Sequence, residues 1–329
     1  PKKKVFFEIV QSSVIYRSEC LSNEGKFNDV KIPAGLLGGG FLLSFYNCKK
    51  KAFYKINTSI EDITFNGRNF ALKLSGITYN IKSKCLLTKN YSFVDYLKAG
   101  VQIGLSVAID FTGSNGNPND NRSLHFIRGM EPNQYERAIQ NCGSIVGYYD
   151  YDQMFPCFGF GAKINGQSTP LFNLNLQNDP NIHLVQGIID AYHVAINTVQ
   201  LWGPTNFSPI IRTVCNMIRQ EHDKLKYNII MILTDGMIDD LDNTIDDLVD
   251  GSFLPLSVII IGVGRADFSS MNVLDADENP LISSKGVKAA RDLVQFVPFL
   301  KFESNPEKLA SEVLAEIPNQ ILEYYEQHN

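Results

Sequence analysis

The run "IGLSVAIDFTGS", residues 103–114, decides how this chain is built. From Ile103 to Ile109 it is almost continuously apolar, whereas a strand with one face in water would alternate. A short apolar run bounded by turn signals predicts a parallel strand covered on both faces. The same grammar returns in "FPCFGFGA" (155–162), "NIIMILTD" (228–235) and "LSVIIIGV" (256–263). Amphipathic stretches at 133–148, 182–201, 207–222, 240–250 and 306–326 predict helices around these strands. The last is well marked: Ser304 or Asn305 can cap it, Pro306 suits its first turn and Glu307 sits at its positive end. Strands alternating with helices predict a doubly wound α/β domain with a mostly parallel sheet.

Upstream the grammar differs. Short β-prone runs, "VFFEIV", "SVIYRSECL", "NDVKI", "FLLSFY", "FYKINTSI", "FALKLSG" and "TYNIKSKCLL", are separated by turn signals such as Gly38-Gly39-Gly40 and Asn66-Gly67. They predict a partial antiparallel β-sandwich over residues 1–88, followed by the α/β domain over 89–329. Charge divides the chain at the same place. Residues 1–88 hold 14 Lys and Arg against 6 Asp and Glu, and residues 89–329 hold 16 against 29. The basic part suits an anionic surface, and the acidic part argues against nucleic acid as a partner. The six cysteines are scattered, without a CxxC pair, which predicts a reducing, intracellular compartment. No apolar run approaches the ~18 residues of a membrane span, so membrane contact is expected to be peripheral. Because the sequence opens on Pro1, we expect the polypeptide to extend further upstream.

The chemistry lies where strands end. In an open parallel sheet, ligands bind beyond the carboxyl ends of the strands, where strand order reverses. Asp110 ends one strand, with Thr112 and Ser114 each two residues further on, and Asp235 ends another in "MILTDGMID". Between them, "LWGPTNFSP" presents Thr205 at a Gly-Pro turn just before a helix. Carboxylates and hydroxyls crowded behind buried strands are unfavourable unless something binds them. Asp110, Thr112, Ser114, Thr205 and Asp235 are all hard oxygen donors, a set that selects Mg2+, Mn2+ or Ca2+ over zinc and copper. Three of the five are neutral hydroxyls, so a divalent ion would keep residual positive charge. An Asp or Glu from a partner protein could then fill an open coordination position.

These residues carry a resemblance. Asp-x-Thr-x-Ser at 110–114, Thr205 in "GPTNFSP" and Asp235 in "TDG" resemble the metal-ion-dependent adhesion site of von Willebrand factor type A domains. More narrowly, "DFTGSNGNP", "FPCFGFGA", "GPTNFSPII", "LTDGMIDD", "GVGRADF" and "AARDLVQFVPF" resemble the copines over about residues 91–320. The resemblance implies a cytosolic adaptor with two C2 domains followed by this A domain, binding phospholipid in a calcium-dependent way. It also implies that residues 1–88 are the later strands of the second C2 domain, with the first lying outside this sequence. One departure stands out. Calcium-binding C2 loops carry several aspartates, yet the corresponding segment here reads "FYNCKKKAFY". Lys49, Lys50 and Lys51 would repel Ca2+, though they suit anionic headgroups at about 1 kcal/mol each. Integrin-type sites have Ser where Thr112 stands, a change that keeps the hydroxyl.

Simpler readings account for the other motifs. "GVGRADF" lacks the third glycine and the acidic ribose partner of a dinucleotide fingerprint, and reads as a tight strand-to-helix turn. "DDLDNTIDDLVD" lacks the EF-hand glycine, and reads as acidic first turns of a helix. The dispersed histidines, His125 among them, fall into no catalytic pattern and read as surface or core residues. We therefore expect a binding protein and not an enzyme. The rivals are a component of an enzyme assembly, since plant ubiquitin ligases join a copine-like A domain to a RING, and a scaffold with a vestigial metal site.

Overall fold

The computed structural model describes residues 92–328 other than 130, 151, 222, 224 and 276–279, together with six strands before them. The chain divides into two compact units, Pro1–Asn90 and Tyr91–Asn329.

In the first unit, β1 (Val5–Val10), β2 (Val14–Arg17), β3 (Phe41–Asn47) and β4 (Ala52–Thr58) form an antiparallel sheet in the order β2-β1-β3-β4. A second antiparallel pair joins β5 (Asn69–Leu74) to β6 (Ile77–Lys82). The expected run "NDVKI" and the three lysines Lys49, Lys50 and Lys51 lie outside the described residues.

The second unit opens with α1 (Phe93–Lys98), started by a capping box between Ser92 and Asp95. Next come β7 (Gln102–Asp110) and a helical segment in which α2 (Gln134–Ala138) passes through a π-turn, Ile139–Gly143, into α3 (Ser144–Gly147). The chain then runs through β8 (Met154–Ile164), β9 (Gln167–Asn173), β10 (Asn181–His183), α4 (Leu184–Thr198) and β11 (Gln200–Leu201). It continues with α5 (Ser208–Gln220), β12 (Lys226–Thr234), α6 (Leu241–Gly251), β13 (Leu256–Gly262), α7 (Ser269–Asp275) and β14 (Val294–Pro298). Two helices, α8 (Pro306–Val313) and α9 (Ile317–His328), close it.

The sheet is mixed and mostly parallel. Strands β8-β7-β12-β13-β14 are parallel neighbours, and the short β9, β10 and β11 pair antiparallel with β8. Its apolar runs feed two separate cores. Ile229, Met231 and Leu233 pack into one, and their neighbours Ile230 and Ile232 into the other. Ile259 and Ile261 divide from Val258 and Ile260 in the same way. Successive side chains point to opposite faces, so a strand apolar at every position must be covered on both. All seven residues of β13 are buried, and each fully buried Ile or Val contributes about 1.5–3 kcal/mol.

Some expected boundaries shift. The helix expected over 306–326 is two helices, because Pro318 near the start of α9 has no N–H to donate to the Leu314 carbonyl. The helix expected over 182–201 is shorter at both ends, where Asn181–His183 and Gln200–Leu201 pair with β8 instead. Asn305, one of the two expected caps, accepts from Lys308 N at 3.0 Å.

From β7 the chain crosses to β8 on one side and later to β12 on the other, so strand order reverses at β7. Asp110 is the last residue of β7, and Asp235 follows the last residue of adjacent β12. The reversal therefore opens its crevice beside both carboxylates.

Candidate metal centre

Asp110 is buried, and both of its carboxylate oxygens are engaged. Oδ1 accepts from the Thr112 amide at 2.8 Å and the Thr112 hydroxyl at 2.6 Å, and Oδ2 accepts from the Thr234 hydroxyl at 2.7 Å. The Thr112 and Ser114 hydroxyl oxygens lie 2.9 Å apart, and Ser114 donates to Asp235 Oδ1 at 2.9 Å. Four of the five expected residues thus form one continuous chain, Asp110–Thr112–Ser114–Asp235.

Counting protons along this chain exposes a conflict. Each hydroxyl has one proton. If both carboxylates are ionised, Thr112 gives its proton to Asp110 and Ser114 gives its own to Asp235. The 2.9 Å contact between the two hydroxyls then has no proton, and lone pairs face each other. A positive charge from outside the chain resolves this, either a proton on one carboxylate or a cation held by the oxygens. The acidities point the same way. Burial raises the pKa of Asp110 despite its hydrogen bonds. Asp235 is pushed up to about 7, first by burial and then by the charge of Asp110. Among the described residues neither carboxylate has an ion-pair partner. No three His, Cys, Asp or Glu side chains converge among those residues either, so a cation here would draw on hydroxyl oxygen as well as carboxylate. The donors present fit a hard divalent ion.

The loop that carries Thr205 is set against the 110–114 loop by backbone contacts. Trp202 O accepts from Gly113 N at 2.7 Å, which sets the 202–205 loop against the 110–114 loop. Gly161 of β8 lets them meet: a Cβ there would stand 2.2 Å from the Thr112 methyl and 3.3 Å from Pro204 O. Thr205 N donates to Asp239 Oδ2 at 2.7 Å, and Asp239 N returns a bond to Thr205 O at 2.8 Å. Asp240 accepts from Phe207 N and Ser208 N, both at 3.0 Å, tying the start of α5 to the loop after β12. These contacts hold the Thr205 backbone. No hydrogen bond joins its hydroxyl to the other four side chains.

Residues 123–329 match the family described as Copine. The chain belongs to the copine family. Similar solved structures include manganese-loaded TRAP of Plasmodium vivax, at 13% identity and a TM-score of 0.41, over 67% of this chain and 74% of that one. Proximal thread matrix protein 1 from the mussel byssus, with zinc in its MIDAS motif, shows 15% identity and a TM-score of 0.36, over 65% and 46%. PilB minor pilin from Streptococcus sanguinis shows 12% identity and a TM-score of 0.40, over 98% and 79%. The metals named belong to those proteins. Within this copine, Thr205 and Asp235 lie inside the matched residues, and Asp110, Thr112 and Ser114 lie just ahead of them.

The copine scaffold behind the site includes residues that the motif reading missed. His125 Nε2 lies 2.9 Å from the Asp110 carbonyl, and Nδ1 lies 2.8 Å from the Tyr192 hydroxyl. A carbonyl only accepts, so Nε2 carries the proton and Nδ1 accepts from Tyr192. Tyr192 in turn accepts from Asn133 Nδ2 at 3.1 Å, which completes the account with a neutral imidazole. Tyr135 donates to Asn115 Oδ1 at 2.7 Å, and Asn115 Nδ2 donates to Thr112 O at 3.3 Å. The His125 ring stacks on Tyr135, 4.4 Å between centroids. This buried layer fixes the backbone at Asp110 and Thr112. None of these residues stood as a ligand in a motif; Thr234, which also holds the Asp110 carboxylate, stands directly before Asp235 in the sequence.

Proposed function

We propose that Asp110, Thr112, Ser114, Thr205 and Asp235 hold a divalent cation, Mg2+ or Mn2+ with Ca2+ as the alternative, and that an acidic side chain of a partner protein supplies a further ligand. One observation carries this reading: two buried carboxylates bridged by hydroxyls that lack one proton when both acids are ionised, with no basic partner among the described residues. The bound ion supplies charge neutralisation and an open coordination position. The chain's own residues orient the donors: Thr234 and the Thr112 amide hold the Asp110 carboxylate, and His125 holds its carbonyl.

Binding, not catalysis, suits His125 and the described cysteines. Both ring nitrogens of His125 are occupied. Burial raises the thiols of Cys142, Cys157 and Cys215, which removes them as nucleophiles at neutral pH. Peripheral membrane association of a cytoplasmic protein belongs to the same proposal, with Lys49, Lys50 and Lys51 meeting anionic headgroups; these lysines repel Ca2+, so the calcium dependence that the resemblance implies is not theirs.

Calorimetric titration with Mg2+ and Mn2+ tests the centre. Asp110→Asn combined with Asp235→Asn keeps side-chain shape and removes both charges. Affinity should drop by at least about a hundredfold, with far-UV circular dichroism unchanged. Equal affinity in the folded variant and its parent would sink the assignment.

A further inference from the structure

Two of the loops that carry the centre also expose large apolar side chains. Trp202, the only tryptophan of the chain, is 50% exposed although its backbone is locked to Phe111, Gly161 and Gly113. Met237, two residues after Asp235, is 64% exposed. Apolar groups this large, standing on loops beside a polar centre, are the composition of an interface anchor.

Two basic groups stand at this end. Lys163 Nζ sits over the Trp202 ring, 3.0 Å from its centroid, which holds a positive charge at the rim. Arg265, in the loop after β13, is exposed and in no ion pair among the described residues. Acids stand here too: Asp239 accepts from the Thr205 amide, Asp267 accepts from the Ser269 amide and hydroxyl, and Asp242 is exposed.

We propose that Trp202 and Met237 form an apolar rim that reads the residue next to the partner's acidic side chain. The preferred partner segment is an Asp or Glu flanked by an aromatic or large aliphatic residue. The carboxylate goes to the ion and the flanking side chain lies against Trp202 and Met237, with Lys163 and Arg265 attracting the segment. This rests on the cation-binding reading above and adds specificity to it. The ion accepts any carboxylate, whereas the rim distinguishes one acidic segment from another.

The test uses the full chain in Mg2+ and two capped hexapeptides, Gly-Ser-Asp-Phe-Ser-Gly and the same sequence with Ser in place of Phe. Mg2+ affinity is first measured alone by calorimetry. Peptide binding is then followed by calorimetry and by the emission of Trp202. Burial of a phenyl ring predicts that the Phe peptide binds about tenfold to a hundredfold more tightly. Trp202→Ala and, on the other loop, Met237→Ser should shrink that ratio towards one, and Trp202→Phe should keep most of it. Mg2+ affinity measured in each variant reports whether the centre survives. If Mg2+ binds but the two peptides bind equally, or neither binds, or both variants keep the discrimination, the rim is overturned while the centre stands. If the parent chain binds no Mg2+, the centre fails and the rim with it.

Discussion

His125 is neutral because burial drives its imidazole down to about 3, and the hydrogen bond to the Asp110 carbonyl offsets this only in part. Above the unfolded value near 6.5 the ring is neutral in both states. As pH falls below that value the unfolded chain takes a proton and the folded one does not until about 3, so stability is lost across this window, by at most about 1.4 kcal/mol per pH unit. Asp235 acts in the opposite sense in metal-free protein, because its raised folded pKa makes ionisation unfavourable for the fold as pH climbs towards 7. Comparing His125→Gln with its parent isolates the imidazole. Urea midpoints at pH 7, 6 and 5 without metal should fall less steeply in the variant, and parallel slopes would show that the ring is not held neutral. Sequence and structure differ sharply at this scale. The spacing from Asp110 to Ser114 was legible, because oxygens directly behind an apolar strand demand a ligand. His125 was not legible, since a lone histidine in a loop has no period and its partners Tyr192 and Asn133 are distant in sequence.

Among the elements, β8 matters through a missing side chain. Gly161 has φ +76° and faces the Thr112 methyl. Gly161→Ala would both strain the backbone and push Thr112 away from Asp110. A melting point several degrees lower is expected, together with at least about tenfold weaker Mg2+ binding. Adding Thr112→Ser, which keeps the hydroxyl and deletes the clashing methyl, should recover much of the metal affinity. No recovery would mean that the close approach does not position Thr112. The four long parallel strands were legible because each is apolar on both faces. β9, β10, β11 and β14 were not, for different reasons. β9 carries Pro170, which a strand paired at one edge tolerates. β10 and β11, of three and two residues, exist only through pairing with β8. The five-residue β14, with Val294 and Val297 buried, is too short to show a period.

At the scale of the whole chain, all five proposed ligands come from the unit Tyr91–Asn329 and the lysine run from Pro1–Asn90. The two activities should therefore separate. Replacing Lys49, Lys50 and Lys51 by Ala should weaken sedimentation with phosphatidylserine vesicles at low salt by about tenfold or more and leave Mg2+ affinity unchanged. Unaltered vesicle binding would remove these lysines from the lipid proposal. The sequence by itself determined the α/β class of the larger unit and the kind of atom that gathers at its strand ends. Hydrophobic period and oxygen-donor type are local properties, written residue by residue. Only the tertiary structure decided that β7 and β12 are neighbours, that Ser114 reaches Asp235, and that His125 supports Asp110 from behind. Those contacts join residues far apart along the chain, and strand order and packing create them where no local pattern does.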